Sequence, residues 1–253
     1  MHILLTNDDG YFAQGLQTLY SVLANEGYQL SIVAPDSQRS ATGHSITLFE
    51  PLFITKHPLE HGTGYAVSGK PADCVKLAIQ GDIIPRPDLV ISGINNGPNL
   101  GTDVFYSGTV SAAMEGVLLG VPAIAVSLAA FSASDYKPAA DFVAKILQEP
   151  NVFSSDLLNV NIPPLSENEW KGVRITKLGK AVYENVFEHR KAPYGKEYYW
   201  QAGTVSPEMD QETDLYAIHE GYISLTPMHS DLTDYKKLKQ MREGLASFNF
   251  TNE

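Results

Sequence analysis

Apolar residues over the first two-thirds of the chain fall into two alternating rhythms. Short runs at Ile3–Leu5, Leu30–Ala34, Leu89–Ser92, Ala123–Leu128 and Leu158–Ile162 read as strands. Between them, Leu16, Leu19, Tyr20 and Leu23 recur at i, i+3, i+4 and i+7, one face of an amphipathic helix that Gly27 is placed to end. Ala139, Phe142, Val143, Ile146 and Leu147 mark another core-facing helix, with further helices predicted over Ala72–Ile79 and from about Thr109 to Leu119. Leu48–Ile54 and Tyr65–Val67 read as two more strands able to pair as a hairpin. Strands alternating with helices of this length imply right-handed βαβ units. The fold class is α/β, a mostly parallel sheet with helices on both faces.

Beyond about residue 165 the rhythm breaks. Val173–Leu178, Tyr198–Gln201 and Tyr222–Thr226 look like strands, and a terminal helix is predicted from about Thr233 to Leu245. The polar, aromatic stretch YENVFEHRKAPYGKEYYW shows no clear period, and its charged run reads as a solvated loop. We therefore divide the chain into a core over 1–165 and an irregular C-terminal α+β extension over 166–253, read as an appended subregion or an oligomerisation arm.

Length and charge narrow the function classes. A chain of 253 residues with 43% hydrophobic and 19% charged residues can bury a full core without disulfide or structural metal. A net charge of −11 argues against a nucleic-acid polymer as partner, because no excess of Lys and Arg is available to displace counterions. It leaves room for a small anionic substrate, since one bound cation reverses the local field. Cys74 is the only cysteine and reads as a buried core thiol. The start MHILLTNDDG lacks the basic and long apolar stretches of a signal peptide, and Gly120 and Pro122 interrupt the most apolar region, Val117–Phe131. The expectation is a soluble, cytoplasmic protein that does not engage a membrane.

The candidate chemistry lies where strands end, the edge at which open α/β sheets bind ligands. Asn7-Asp8-Asp9-Gly10 follows the first strand, DSQRSATGHS with Ser40 follows the second, and GINNGPNLG with Asn95 follows Leu89–Ser92. Adjacent carboxylates in a crevice repel unless a cation lies between them. Two readings of Asp8-Asp9 stand: a tight turn closed by Gly10, or half of a metal site. The oxygen set Asp8, Asp9, Ser40 and Asn95 suits a hard divalent cation, Mg²⁺ or Mn²⁺, rather than structural zinc. Ser107-Gly108-Thr109 opens a helix, where unpaired N–H groups and the dipole make an anion site. The plain alternative is that Ser107 or Thr109 is only an N-cap. His229, flanked by Ser230 and Asp231, is either a surface histidine or the acid that protonates a leaving alkoxide; His44 reads as structural.

These stretches carry a resemblance. LLTNDDG, VAPDSQRSATGHSIT, GKPADCVKLAI, SGINNGPNLGTDVFYSGTVSAAMEG, LLNVNIP and EGYISLTPMHSDLTDY together resemble the SurE family, metal-dependent 5′-nucleotidases and acid phosphatases, from residue 1 to about 235. The resemblance implies a Rossmann-like core and one divalent cation per subunit held by Asp8, Asp9, Ser40 and Asn95, with phosphate contacts at Ser107, Gly108 and Thr109. It also implies nucleoside 5′- or 3′-monophosphates, or short polyphosphate, as substrates, and a C-terminal part exchanged between subunits in a homodimer or homotetramer. Lys70 departs from the family pattern, where a small hydroxylated residue is usual, and the Tyr183–Trp200 arm matches it least.

The expected reaction is metal-assisted phosphomonoester hydrolysis, with Asp8 or Asp9 open to roles as ligand, nucleophile or general base. Three rivals are weaker. A receiver-type signalling domain also has an acidic pair but needs a phospho-accepting Asp where this chain has Ser92 and Asn95. A dinucleotide-dependent oxidoreductase needs GxGxxG where this chain has NDDG. A non-catalytic metal- or nucleotide-binding protein would release no phosphate.

Overall fold

The computed structural model describes residues 1–60, 62–131, 135–149, 156–180, 183–184, 187–201, 203–205 and 210–245. The elements in chain order are β1 (His2–Thr6), α1 (Gln14–Asn25), β2 (Gln29–Pro35), β3 (Ile54–Leu59), β4 (Gly62–Val67), α2 (Pro71–Gln80), β5 (Leu89–Asn96), a 3₁₀ turn (Gly101–Phe105), α3 (Gly108–Leu118), β6 (Ala123–Leu128), α4 (Lys137–Ile146) and β7 (Leu157–Ile162). There follow β8 (Val173–Ile175), β9 (Tyr183–Glu184), β10 (Phe187–Lys191), β11 (Glu197–Gln201), β12 (Thr204–Val205), α5 (Asp214–His219), β13 (Ile223–Met228) and α6 (Tyr235–Gly244).

Nine strands form the main sheet in the order β3-β4-β2-β1-β5-β6-β7-β13-β8. The run from β4 to β7 is parallel; β3 pairs antiparallel to β4, and β13 antiparallel to β7. Alternation along the strands sorts the core onto two faces. Ile3, Leu5, Ile32, Ile91 and Ile124 pack with α1 and α4, while Leu4, Val33, Val90 and Ala125 pack with α2 and α3. Each fully buried aliphatic side chain contributes about 1.5–3 kcal/mol, so this two-sided burial is the main force that fixes the strand ends.

Two expectations need correction. The stretch 48–53 is not a strand: Leu48, Phe49 and Phe53 are exposed, and the hairpin uses Ile54–Leu59 against Gly62–Val67 instead. A proline does not decide between the two segments, since Pro58 lies within the observed strand; the continuous register from Ile54 opposite Val67 to Leu59 opposite Gly62 does. The extension after 165 is also not separate from the core sheet, because β8 and β13 complete it. What does stand apart is the β10–β11 hairpin, a two-stranded sheet whose strand residues are all exposed. Among the described residues, no helix is long and apolar enough to cross a membrane.

Candidate active site

The chain reverses direction across the sheet at β1. β2 lies on one side of it and β5 on the other, so the loops after these three strands open at a topological switch point. Asn7 shapes the first loop: its side chain donates to Gly10 O at 2.9 Å and accepts from Gly10 N at 3.2 Å. Gly10 takes φ +106°, which fits the turn at no steric cost. Asp8 and Asp9 are thereby presented side by side.

Asp8 is 4% exposed and accepts from Thr109 Oγ1 at 2.5 Å, so it rests on the first turn of α3. Ser107 caps that helix by accepting from Val110 N at 3.0 Å, and the Thr109 N–H is directed at the Asp8 carboxylate, which leaves the Gly108 N–H at the open end. The N-cap reading and the anion-site reading are therefore compatible. Asp9 accepts from Asn96 N at 3.1 Å and from Gln38 Nε2 at 3.5 Å, and the same Gln38 nitrogen donates to Ser40 Oγ at 2.9 Å. The second loop is tied to the first by Arg39 N donating to Asp8 O at 2.7 Å. Asn95 commits Nδ2 to Gly97 O at 2.9 Å, which leaves its Oδ1 as the acceptor end.

The four oxygen-bearing residues named from the sequence are linked by short chains of contacts: Asp8 to Asp9 along the backbone, Asp9 to Ser40 through Gln38, and Asp9 to the backbone N of Asn96, the residue after Asn95. Sequence reasoning did not single out Gln38 and Asn96. Their only signal was position, two residues before Ser40 and one after Asn95.

The donor chemistry fits a hard divalent cation. Burial raises Asp8 to about 6, with the Asp9 charge adding to the shift, and burial also raises Asp9. Among the described residues no Lys, Arg or His forms an ion pair with either carboxylate. Two desolvated carboxylates without a counter-charge constitute a cost that a bound cation would remove. Beneath them, Thr6 and Ser92 pair in register on β1 and β5, and their buried hydroxyls have no hydrogen-bond partner.

His229 is placed elsewhere. β13 runs antiparallel to β7, with Met228 opposite Leu157, the first residue of β7. His229 therefore follows the end of β13 that lies beside the start of β7. There it lines a 660 Å³ cavity that extends along α3 from Val110 and Ser111 to Leu118 and also takes in His44. Lys70 donates Nζ to Ile46 O at 3.3 Å and its own N–H to Asp73 Oδ2 at 2.9 Å, a loop anchor rather than a part of the donor set. Burial pushes the Cys74 thiol well above its ordinary range, consistent with an inert core residue.

The model for survival protein SurE matches residues 3–185. The chain belongs to the SurE family. Its relatives in that family include the 5′-nucleotidase SurE of Desulfitobacterium hafniense (strain DSM 10664 / DCB-2), 81% identical over 97% of this chain and 98% of the relative. The 5′-nucleotidase SurE of Syntrophomonas wolfei is 48% identical over 98% and 96%. The crystal structure of the SurE protein from Aquifex aeolicus superimposes with a TM-score of 0.81 at 41% identity, covering 96% of this chain and 99% of that one. The SurE relationship extends over nearly the full chain, including the C-terminal strands β8 and β13.

Proposed function

We propose that this chain is a 5′-nucleotidase that hydrolyses nucleoside monophosphates to nucleoside and phosphate, using one divalent cation, Mg²⁺ or Mn²⁺. Asp8, Asp9, Ser40 and Asn95 hold the cation, and Ser107, Gly108 and Thr109 hold the phosphate. The observation that carries this reading is the burial of the Asp8 carboxylate against the amino end of α3, with Asp9 beside it and, among the described residues, no cationic side chain paired to either. The bound cation would supply Lewis-acid polarisation of a phosphate oxygen and a water of lowered pKa.

The chain's own groups do the rest. The Gly108 N–H at the open end of α3 faces the equatorial phosphate oxygens, where phosphoryl transfer needs fixed donors most. Thr109 holds Asp8 in place through its hydroxyl, so the ligand geometry and the anion site share one side chain. Asp9 is less buried and is steered by Asn96 N and Gln38, a placement that suits it to orient water and take its proton.

The exposed β10–β11 arm supports assembly as a homodimer or homotetramer. Trp200 and Tyr199 are about 60% exposed and Tyr194 is 99% exposed, an aromatic surface of the kind that interfaces bury. The decisive experiment is phosphate release from a panel of nucleoside 5′- and 3′-monophosphates with Mg²⁺, with Mn²⁺ and with EDTA. Metal-dependent release from 5′-monophosphates is expected. Release from none of them, or release indifferent to EDTA, would overturn the proposal.

A further inference from the structure

Ser40 lies in a stretch without helix or strand that runs from Asp36 to Phe53, between β2 and β3. Connections of this length are uncommon unless they serve a site, and a metal ligand on one must be held from outside. Near Ser40 the backbone is tied by Arg39 N donating to Asp8 O at 2.7 Å and Gly43 N donating to Tyr106 O at 3.0 Å, and farther along Thr47 N and Oγ1 donate to Asp73 at 2.8 and 2.6 Å. The tie that reaches α3 through side chains is His44 Nε2 to Glu115 Oε2 at 2.7 Å.

Glu115 is an acid buried in the middle of α3, seven residues beyond Gly108 and outside the donor set. The hydrogen bond from His44 holds its carboxyl below the ordinary range in spite of burial, and Lys76 Nζ lies 3.4 Å from the other oxygen. An ionised carboxylate only accepts, so His44 donates through Nε2–H. Such a charge-assisted bond is about twice as strong as a neutral one. Its two ends are the loop that carries Ser40 and the helix whose start forms the anion site.

We propose that His44 and Glu115 are positioning residues whose bond fixes the Ser40 loop on α3 and so sets the spacing between metal ligand and phosphate site. The proposal rests on the reading of Ser40 as a ligand. Because His44 is partly exposed and Glu115→Gln keeps the buried volume, both variants leave the core packing intact.

The test measures Mn²⁺ affinity by titration calorimetry, kcat and KM for a nucleoside 5′-monophosphate, and Tm, in His44→Ala, Glu115→Gln, the double variant, His44→Gln and Ser40→Ala. The expected result is about tenfold weaker Mn²⁺ binding in His44→Ala, with kcat lowered and a double variant no worse than the weaker single one. His44→Gln, which can still donate to Glu115, recovers most of the loss. Wild-type Mn²⁺ affinity and kcat in His44→Ala, with or without a lower Tm, would overturn the clasp while Ser40→Ala remains impaired. If Ser40→Ala itself matches wild type, the reading of Ser40 as ligand is what fails, and the clasp falls with it.

Discussion

Asp8 and Gly108 are in contact so close that a Cβ on Gly108 would fall 2.7 Å from Asp8 Cβ and 2.8 Å from its Oδ2. The carboxylate occupies the place a side chain would take on the first turn of α3, so the proposed metal ligand and the proposed anion site are built against each other. Gly108→Ala must displace Asp8, because the helix start is pinned by the Ser107 cap. The expected result is a kcat/KM lowered about hundredfold, the loss that follows a ligand displaced by about 1 Å. Overpacking should cost about 1–3 kcal/mol in urea unfolding. A variant with wild-type turnover would show that Asp8 does not need this position.

The raised pKa of Asp8 gives a pH dependence with a definite sign. Its folded value is about 6 and its unfolded value is 3.8, so the folded metal-free protein binds this proton more tightly than the unfolded chain does. Stability from this group is greatest below pH 3.8 and is lost as pH rises towards and through 6. The loss at pH 7 is on the order of 3 kcal/mol from a shift of this size. Asp8→Asn has no charge to bury. Compared in EDTA, Asp8→Asn should therefore be more stable than wild type at pH 7, with the gap closing below about pH 4. Equal stability at both values would mean that burial does not penalise this carboxylate.

The parallel strands were legible because both of their faces are buried, which leaves unbroken apolar runs such as Ala123–Leu128 that match the observed β6 residue for residue. The proposed donors Asp8, Ser40 and Asn95 could be named because each follows such a run. The exchange of Leu48–Phe53 for Ile54–Leu59 was not legible, since Leu48–Phe53 is the more apolar segment and only the pairing partner Gly62–Val67 decides between them. His229 follows a strand like the ligands do, but the antiparallel direction of β13 sends it to the end beside the start of β7. Strand direction is a tertiary property that a local pattern does not carry. Glu115 was hidden for a related reason: its partner His44 is 71 residues away.

Gly15 supports the site from behind. A Cβ there would lie 2.0 Å from Ile94 O, so α1 and the end of β5 touch through backbone alone, one residue before Asn95. Gly15→Ala must push either α1 or the Ile94 carbonyl, and moving the carbonyl moves Asn95. Unfolding free energy should fall by about 1–3 kcal/mol. Mn²⁺ affinity measured on the folded variant should fall with it, by about tenfold. Unchanged affinity would place the whole strain in α1 and free Asn95 from this contact.

The exposed arm makes the last prediction. β10 and β11 pair only with each other, and Phe187, Tyr199 and Trp200 present large apolar surface to solvent. An isolated two-stranded hairpin is marginal in water, and an exposed aromatic surface of this kind suits burial against a second copy, as the proposed assembly requires. Replacing residues 187–201 with a short Gly/Ser linker removes that surface while leaving every strand of the main sheet in place. Light scattering after size exclusion should then report a lower oligomeric state than wild type, with Mn²⁺ affinity retained because no donor lies in the arm. A full-length protein that is already monomeric, or a truncation that leaves the oligomer unchanged, would remove the arm from assembly.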